Sequence, residues 1–285
     1  MAEGRWFRRL TVGLLAGWIA LFMLVPNLLV MAASLLTSSE ESFVALPVTL
    51  DSYRQLADPL YLEVVLGSSA LALAATVICL LIGYPFAFWL TRVPARRRAL
   101  PLALVIIPFW TNSLVRTYAI RTLVATQGPL NKMLVAAGAV DAPLPLLYTR
   151  GAVVFGLVYV LLPFMILPLY AVMEKLDWRL VEAARDLGAG PLAAFRRVVL
   201  PLTLPGIIAG SLMVFLPGVG MFYVADLLGG AKELLIGNLI KNQFLDARNW
   251  PFGAALSFAL LGVLAVLLAG YRYSRRRLGA TGWSQ

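Results

Sequence analysis

The sequence predicts an all-α integral membrane protein with six transmembrane helices, and two observations carry that prediction. Apolar residues make up 61% of the 285 residues and charged residues only 13%, against roughly 45–50% and about 25% in a soluble globular chain. Six apolar runs, near 10–36, 64–90, 99–124, 151–173, 201–228 and 250–271, are each long enough to cross about 30 Å of hydrocarbon. An apolar excess of this kind cannot all be hidden in one soluble core, so lipid covers the remainder. The whole of 1–285 reads as a single transmembrane domain.

The first run follows Arg5, Arg8 and Arg9 and resembles a leader at its start. It is far longer than the ~7–15 apolar residues of a secretory leader, so it reads as a retained helix. The segment after it, 37–63, is acidic, with Glu40, Glu41, Asp51, Asp58 and Glu63 against Arg54. Three of the runs carry internal Pro, Gly or polar residues, which membrane helices tolerate when neighbours satisfy the freed backbone groups. Between the fifth and sixth runs, Leu234, Leu235, Leu239, Ile240 and Phe244 share one helical face. A short amphipathic helix within 229–249 follows, either covering the end of the bundle or gating it.

Sixteen of the 24 Lys and Arg residues fall on one side if the N-terminus is inside. They are Arg5, Arg8 and Arg9; Arg92 and Arg96 to Arg98; Lys175, Arg179, Arg185, Arg196 and Arg197; and Arg272 and Arg275 to Arg277. By the positive-inside rule both termini are then cytoplasmic, and an even number of crossings agrees. The net charge of +10 gathers at the ends of apolar runs, not on one soluble face, which argues against nucleic acid as a partner. Cys79 is the single cysteine and histidine is absent. No disulfide, zinc site or catalytic base–nucleophile pair is therefore expected. No G-x-x-x-x-G-K-[ST] phosphate loop occurs, so any ATP and its Mg²⁺ would belong to a partner, and this chain is expected to hold no cofactor and to be no enzyme.

The segment 174–200 is the most informative. Asp177 is a plausible N-cap, and Leu180, Ala183, Ala184 and Leu187 follow at helical spacing. Gly188 ends that helix, and Gly190-Pro191 opens a second one, with proline in its first turn. Leu192, Phe195 and Val199 supply its apolar face, and Pro201 leads into the fifth run. The result is a helix, a glycine corner and another helix protruding from the membrane. It is either an ordinary basic loop or a docking knob for a soluble partner.

The stretch Glu182-Ala183-Ala184-Arg185-Asp186-Leu187-Gly188, followed by Val198-Val199-Leu200-Pro201, resembles the EAA loop of ABC importer permeases. Valine at 198 in place of isoleucine is the one departure from the pattern. The resemblance implies the type I (MetI-like) permease fold. It also implies that Glu182, Ala183, Ala184, Asp186, Gly188, Leu200 and Pro201 form or frame a knob seated in a groove of an ATPase subunit. Gly188 would supply the sharp corner, since a Cβ disfavours φ > 0. Further partners follow: a second homologous permease, an ATPase dimer and an extracytoplasmic binding protein, assembled in a bacterial inner membrane.

A wider resemblance rests on Pro108-Phe109-Trp110-Thr111-Asn112-Ser113-Leu114-Val115-Arg116, on Leu161-Leu162-Pro163-Phe164-Met165 and on the stretch from Phe222 to Gly230. Asp58-Pro59-Leu60-Tyr61 and Asn249-Trp250-Pro251-Phe252-Gly253 extend it. Together these are similar to the first permease subunit of spermidine/putrescine importers. The resemblance implies a polyamine cargo, and a binding protein that supplies the tight binding. Polyamines call for carboxylates and aromatic faces. Asp226, beside Phe222 and Tyr223, is the best acidic candidate, or else a helix-end residue in contact with water. Trp110, Thr111, Asn112, Ser113 and Tyr118 are expected to face the bundle interior, either lining the path or bonding between helices. Arg116 is expected to pair with an acid or to snorkel outward. Other solutes of the same permease class stay open. An ion-coupled secondary transporter would leave the EAA pattern unexplained, and no convincing inverted repeat is visible.

Overall fold

The computed structural model describes residues 3–39, 43–230 and 234–280. Of the charged residues read above, Glu40 and Glu41 lie outside these segments. The side chains of Arg5, Arg8, Arg9, Arg272, Arg275, Arg276 and Arg277 lie outside the described ones. The described elements are helical, and two compact units are formed: Glu63–Asn238, and the two chain ends, Met1–Leu62 with Leu239–Gln285.

In the unit of the chain ends, α1 (Glu3–Ile19) passes through a π turn, Ala20–Leu24, into α2 (Val25–Ser34). The most apolar window of Leu10–Ser34 is 0% buried, as expected of a helix whose surroundings are lipid. The short α3 (Asp51–Gln55) is tied back to α2 by the hydroxyls of Ser34 and Tyr53, 2.8 Å apart. The last helix, α14 (Trp250–Ala280), packs on α2. At its start Phe43 and Phe244 meet the Trp250 ring at 5.1 and 5.7 Å.

The larger unit is built around α8 (Arg150–Met173). Its apolar window is 61% buried, against 28% for α4 (Pro59–Arg92) and for the long helix Pro191–Gly220. A helix that is apolar all round belongs in the centre of a bundle. Its main neighbour is α11 (Leu200–Gly220), and small residues set their approach. A Cβ on Gly206 would lie 3.1 Å from Val172, and one on Gly210 would lie 2.7 Å from the Met165 sulfur. Gly206 and Gly210 are four apart, the small-xxx-small spacing of membrane helix contacts.

The six apolar runs take three forms here. Among the described residues, four helices are long and apolar enough to cross a membrane, and a bent pair makes up to five; a shorter apolar helix, Trp250–Val266, follows. The third run is therefore not one straight crossing. It comprises α5 (Ala95–Ile106), a 3₁₀ turn at Ile107–Trp110 and α6 (Ser113–Val124), and its two arms diverge by 97°. Pro108 has no N–H for the α5 ladder and tightens the last turn. Thr111 and Asn112 then run extended, with ψ of 143° and 131°. Asn112 Oδ1 accepts the Leu114 N–H at 2.8 Å and starts a new helix. After α6, α7 (Pro129–Ala136) leads to α8.

Beyond α8 come α9 (Arg179–Asp186) and α10 (Pro191–Ala194). α10 runs without a break through a π turn, Phe195–Val199, into α11. Pro201 thus does not separate loop from membrane helix. The wide turn leaves room for the ring where a regular turn would clash with the carbonyl of residue 197. Pro26 stands at the same distance after the π turn at Ala20–Leu24. α11 ends at Met221 and is followed by α12 (Phe222–Val224), a third π turn at Ala225–Gly229, and α13 (Ile236–Leu245). The buried part of α13 is Ile236, Gly237 and Asn238. Leu234 and Leu235 precede the helix, so the amphipathic face begins later than the spacing suggests.

Candidate functional site

Two places gather the residues singled out above. The first is the corner at 174–200. Asp177 Oδ1 accepts the Arg179 N–H at 3.0 Å, so it caps α9 as expected, one residue ahead of the helix boundary. The far end of α9 closes with two bonds, Gly188 N–H to Arg185 O at 2.9 Å and Ala189 N–H to Ala184 O at 3.0 Å. That is the Schellman pattern, with Gly188 at φ 84° in the left-handed position. Ala184 and Ala189 also pack together under the corner, against Val181, Ala194 and Val199. Glu182, Ala183 and Asp186 face outward, and Leu187 and Leu192 are 89% and 77% exposed. Two exposed leucines flanked by carboxylates and by Arg196 and Arg197 make a surface suited to a protein partner. Leu200 is half-buried and Pro201 exposed at the foot of the knob.

The sequence reading missed what holds this corner in place. Tyr84, Phe88 and Arg92 lie four apart on one face of α4. The Tyr84 ring meets Phe195 edge-on at 5.9 Å, and its hydroxyl is 2.9 Å from Thr203 Oγ1. Phe88 meets Trp178 edge-on at 5.6 Å, and the Arg92 guanidinium lies 4.3 Å from the Trp178 ring centroid. Alongside, Arg98 donates to the carbonyls of Val93 and Thr91 at 2.6 and 2.9 Å and meets Glu174 at 3.3 Å. The Tyr170 hydroxyl donates to the same Glu174 oxygen at 2.7 Å. The i, i+4, i+8 spacing of Tyr84, Phe88 and Arg92 was legible, but nothing local to α4 says that it faces Trp178 and Phe195.

The second place is a cavity of about 630 Å³ lined by Phe109 to Ser113, Arg116, Val160, Phe164, Met221 and Tyr223. It brings Trp110, Asn112 and Tyr223 together. Tyr118 and Asp226 are not among its lining residues. Phe109 is held edge-on against Phe164 at 5.0 Å. Trp110 is 83% exposed, so this polar and aromatic cluster faces out of the chain's own bundle, contrary to the expectation that it faces the interior. The 97° bend leaves residues 110–113 at the corner between the two arms, on the wall of a cavity shared with Val160 and Phe164 of α8. Among the described residues Arg116 is not paired to an acid. Its Cζ lies 5.7 Å from the Phe109 centroid, and Nε and Nη1 are buried without a hydrogen-bond partner among the described residues.

Asp226 stands nearby in the third π turn. Its Oδ1 accepts from Asn238 Nδ2. Asn238 also donates to Phe222 O at 3.0 Å and accepts the Leu235 N–H at 3.1 Å. The Ser68 hydroxyl takes the Ile236 N–H at 2.8 Å. These bonds fix the start of α13 with the Gly237 backbone directly on that of Gly220, so a Cβ at position 237 would run into the Gly220 carbonyl.

Residues 83–279, which include the corner and the cavity, match the family described as binding-protein-dependent transport system inner membrane component. The chain is 53% identical over 272 residues to the spermidine/putrescine transport system permease protein PotB of Haemophilus influenzae, covering 95% of each chain. It is equally 53% identical over 264 residues to PotB of Escherichia coli K12, covering 93% of this chain and 96% of that one. The fold matches a chain in the crystal structure of a bacterial alginate ABC transporter in complex with an alginate pentasaccharide-bound periplasmic protein, with TM-score 0.79 and 16% identity over 99% and 98% of the two chains. The chain belongs to the family of binding-protein-dependent inner membrane components, the permease subunits of ABC importers.

Proposed function

We propose that this permease moves the polyamines spermidine and putrescine into the cytoplasm as one transmembrane half of an ATP-driven importer. The observation that carries the cargo is the whole-length likeness to permeases named for those two solutes. The corner at 174–200 supports the coupling. A rigid glycine turn presents Glu182, Asp186, Leu187 and Leu192 outward, and its second helix is continuous with α11 as far as Gly220. A push on α10 would therefore travel along one helix into the membrane. In this reading Glu182, Ala183, Ala184, Asp186 and Gly188 seat in an ATPase subunit, while Leu200 and Pro201 join the knob to the membrane helix. ATP with its Mg²⁺ is bound and hydrolysed on that partner. A second homologous permease faces this one across the path, and a binding protein delivers the cargo from outside. Both termini are cytoplasmic, and the chain acts as one transmembrane domain.

Trp110, Asn112 and Tyr223 would line the path, with Tyr118 and Asp226 beyond the cavity along it. The cavity offers aromatic faces for methylene stems and ammonium groups but no carboxylate among its described lining residues. Cargo would be held weakly there and released readily, as conduction requires. The same observation favours the second reading, a permease of this class for another small solute, because Arg116 is the cavity's charged residue.

The test is uptake of labelled spermidine and putrescine into proteoliposomes holding the chain with its neighbouring gene products and ATP inside. ATP-dependent uptake that disappears without the binding protein is the expected result. An ATPase that still responds to its binding protein while no polyamine enters would overturn the cargo and leave the importer.

A further inference from the structure

The corner at 174–200 is attached to the membrane helices at more than the foot of α11. α10 runs into α11 through the wide turn Phe195–Val199, and held there alone the corner could tilt about that turn. From α8 the chain reaches α9 through the non-helical stretch 174–178, and α4 holds that stretch at both ends. α4 stops at Arg92 because Pro94 has no N–H for Leu90 O, which takes the Val93 N–H at 3.3 Å instead. The carbonyls left open at a helix C-terminus favour a cation. Arg98, in the first turn of α5, fills that place. Its Nε and Nη2 donate to Val93 O and Thr91 O at 2.6 and 2.9 Å, and its Nη1 donates to Glu174 Oε1 at 3.3 Å. One planar guanidinium thus joins the end of α4 to the end of α8. The Arg98–Glu174 pair is partly exposed and weak by itself, so the rings carry much of the tie. Four residues after Glu174, Trp178 lies against Phe88, and the Arg92 guanidinium stands 4.3 Å from its ring centroid. Phe88 packs on two apolar clusters, the corner's with Val181 and Val199 and the membrane core's with Met165 and Leu169.

We propose that Arg92 and Arg98 are positioning residues for energy coupling, which moor the α9 arm of the corner to α4 so that movement of the corner reaches α4 and α11 together. The proposal rests on the importer reading above and adds a second route to the one through α10. The two routes converge. Tyr84 of α4 meets Phe195 and the Thr203 hydroxyl at the foot of α11. Farther along, a Cβ on Gly218 of α11 would lie 3.4 Å from the Ala72 Cβ of α4, so the two helices are in direct contact there. With the mooring intact the corner cannot tilt about the π turn, and its displacement passes into both helices. With the mooring cut, a partner still seats on the exposed face of the corner, but its movement is spent in tilting α9 and α10. The same contacts carry the signal in the other direction, from a binding protein outside to the ATPase, so cutting them also deafens the ATPase to the binding protein.

The experiment uses the assembled transporter, with both permeases, the ATPase and the binding protein, in proteoliposomes matched for inserted complex. The readout is the stimulation of ATPase by binding protein carrying its own bound solute, which does not depend on what the cargo is. Arg92→Cys with Trp178→Cys removes the ring contact and leaves two thiols in its place, while the native Cys79 is buried. Stimulation should fall about fivefold or more, the low end of an ordinary coupling between distant sites. A short bismaleimide joining the two thiols should restore it. N-ethylmaleimide, which blocks both without joining them, should not, and neither single-cysteine variant should respond to the bridge. Full stimulation in the unbridged pair, or a bridge no better than N-ethylmaleimide, overturns the mooring. Arg98→Lys keeps the charge beside Glu174 but cannot serve two carbonyls and the carboxylate at once, and Arg98→Gln loses the charge. The expected order of stimulation per inserted complex is arginine, lysine, glutamine. A fall in inserted complex or in apparent Tm with stimulation per complex unchanged makes Arg98 merely structural and overturns its part. An unaltered complex whose ATPase ignores its binding protein overturns the importer reading and the mooring with it.

Discussion

Gly188 tests the docking corner with the fewest confounding effects. Its φ is 84°, and a Cβ built on it meets nothing within 4 Å. Alanine there would strain the backbone without a clash, at about 1–2 kcal/mol. Asparagine visits the left-handed region more readily and should cost about half as much. Proline fixes φ near −65° and removes the N–H that bonds Arg185 O at 2.9 Å, so its cost is about 3 kcal/mol or more. Since about 1.4 kcal/mol is tenfold in an equilibrium, alanine should make the opened corner about tenfold more populated and proline more than a hundredfold. The assay is ATP-driven uptake beside binding-protein-stimulated ATPase in the same proteoliposomes, with permease amounts matched. The expected order of coupling is glycine, asparagine, alanine, proline, with all four chains inserted alike. Asparagine as damaging as proline, or proline as good as glycine, would refute the claim that the left-handed backbone is what the corner requires.

Other sites give sharp expectations. Glu182→Lys reverses a charge on the exposed face of α9 and should uncouple ATPase from uptake without changing insertion; normal uptake would remove Glu182 from the docking surface. Trp178→Ala deletes both the Phe88 and the Arg92 contacts, together about 1–2.5 kcal/mol beyond the area lost. Trp178→Phe should restore part of the coupling, and an equal loss in both variants would count against a ring-packing role. Gly237→Ala drives a Cβ into the Gly220 carbonyl and should lower the apparent Tm of the detergent-solubilised chain, in line with an overpacking cost of about 1–3 kcal/mol; an unchanged Tm would mean that α13 is not seated there. Asn112→Ala removes the cap of α6 at about 1 kcal/mol, and Asn112→Ser should recover that stability. If serine recovers stability but not uptake, Asn112 acts on the cargo as well as on the helix.

The membrane class, the apolar runs and the helix–corner–helix at 174–200 follow from the sequence by itself, because each depends on neighbours within a few residues. A run of apolar side chains needs no distant partner to prefer lipid, and the corner at Gly188 closes through its own bond to Arg185 O and the bond from Ala189 to Ala184 O, neither spanning more than five residues. The tertiary structure decided the rest. It turned the 99–124 run at Thr111 and Asn112, so that Trp110 faces out of the bundle. It set Arg116 over Phe109, with Nε and Nη1 unpartnered among the described residues. It joined Tyr84, Phe88 and Arg92 to Phe195, Thr203 and Trp178. Those contacts cross about ninety residues or more, and which face of α4 makes them depends on how α8 and α11 pack through Gly206 and Gly210. Periodicity tells which residues share a face; only packing, which sums many small contacts over the whole bundle, determines what that face meets.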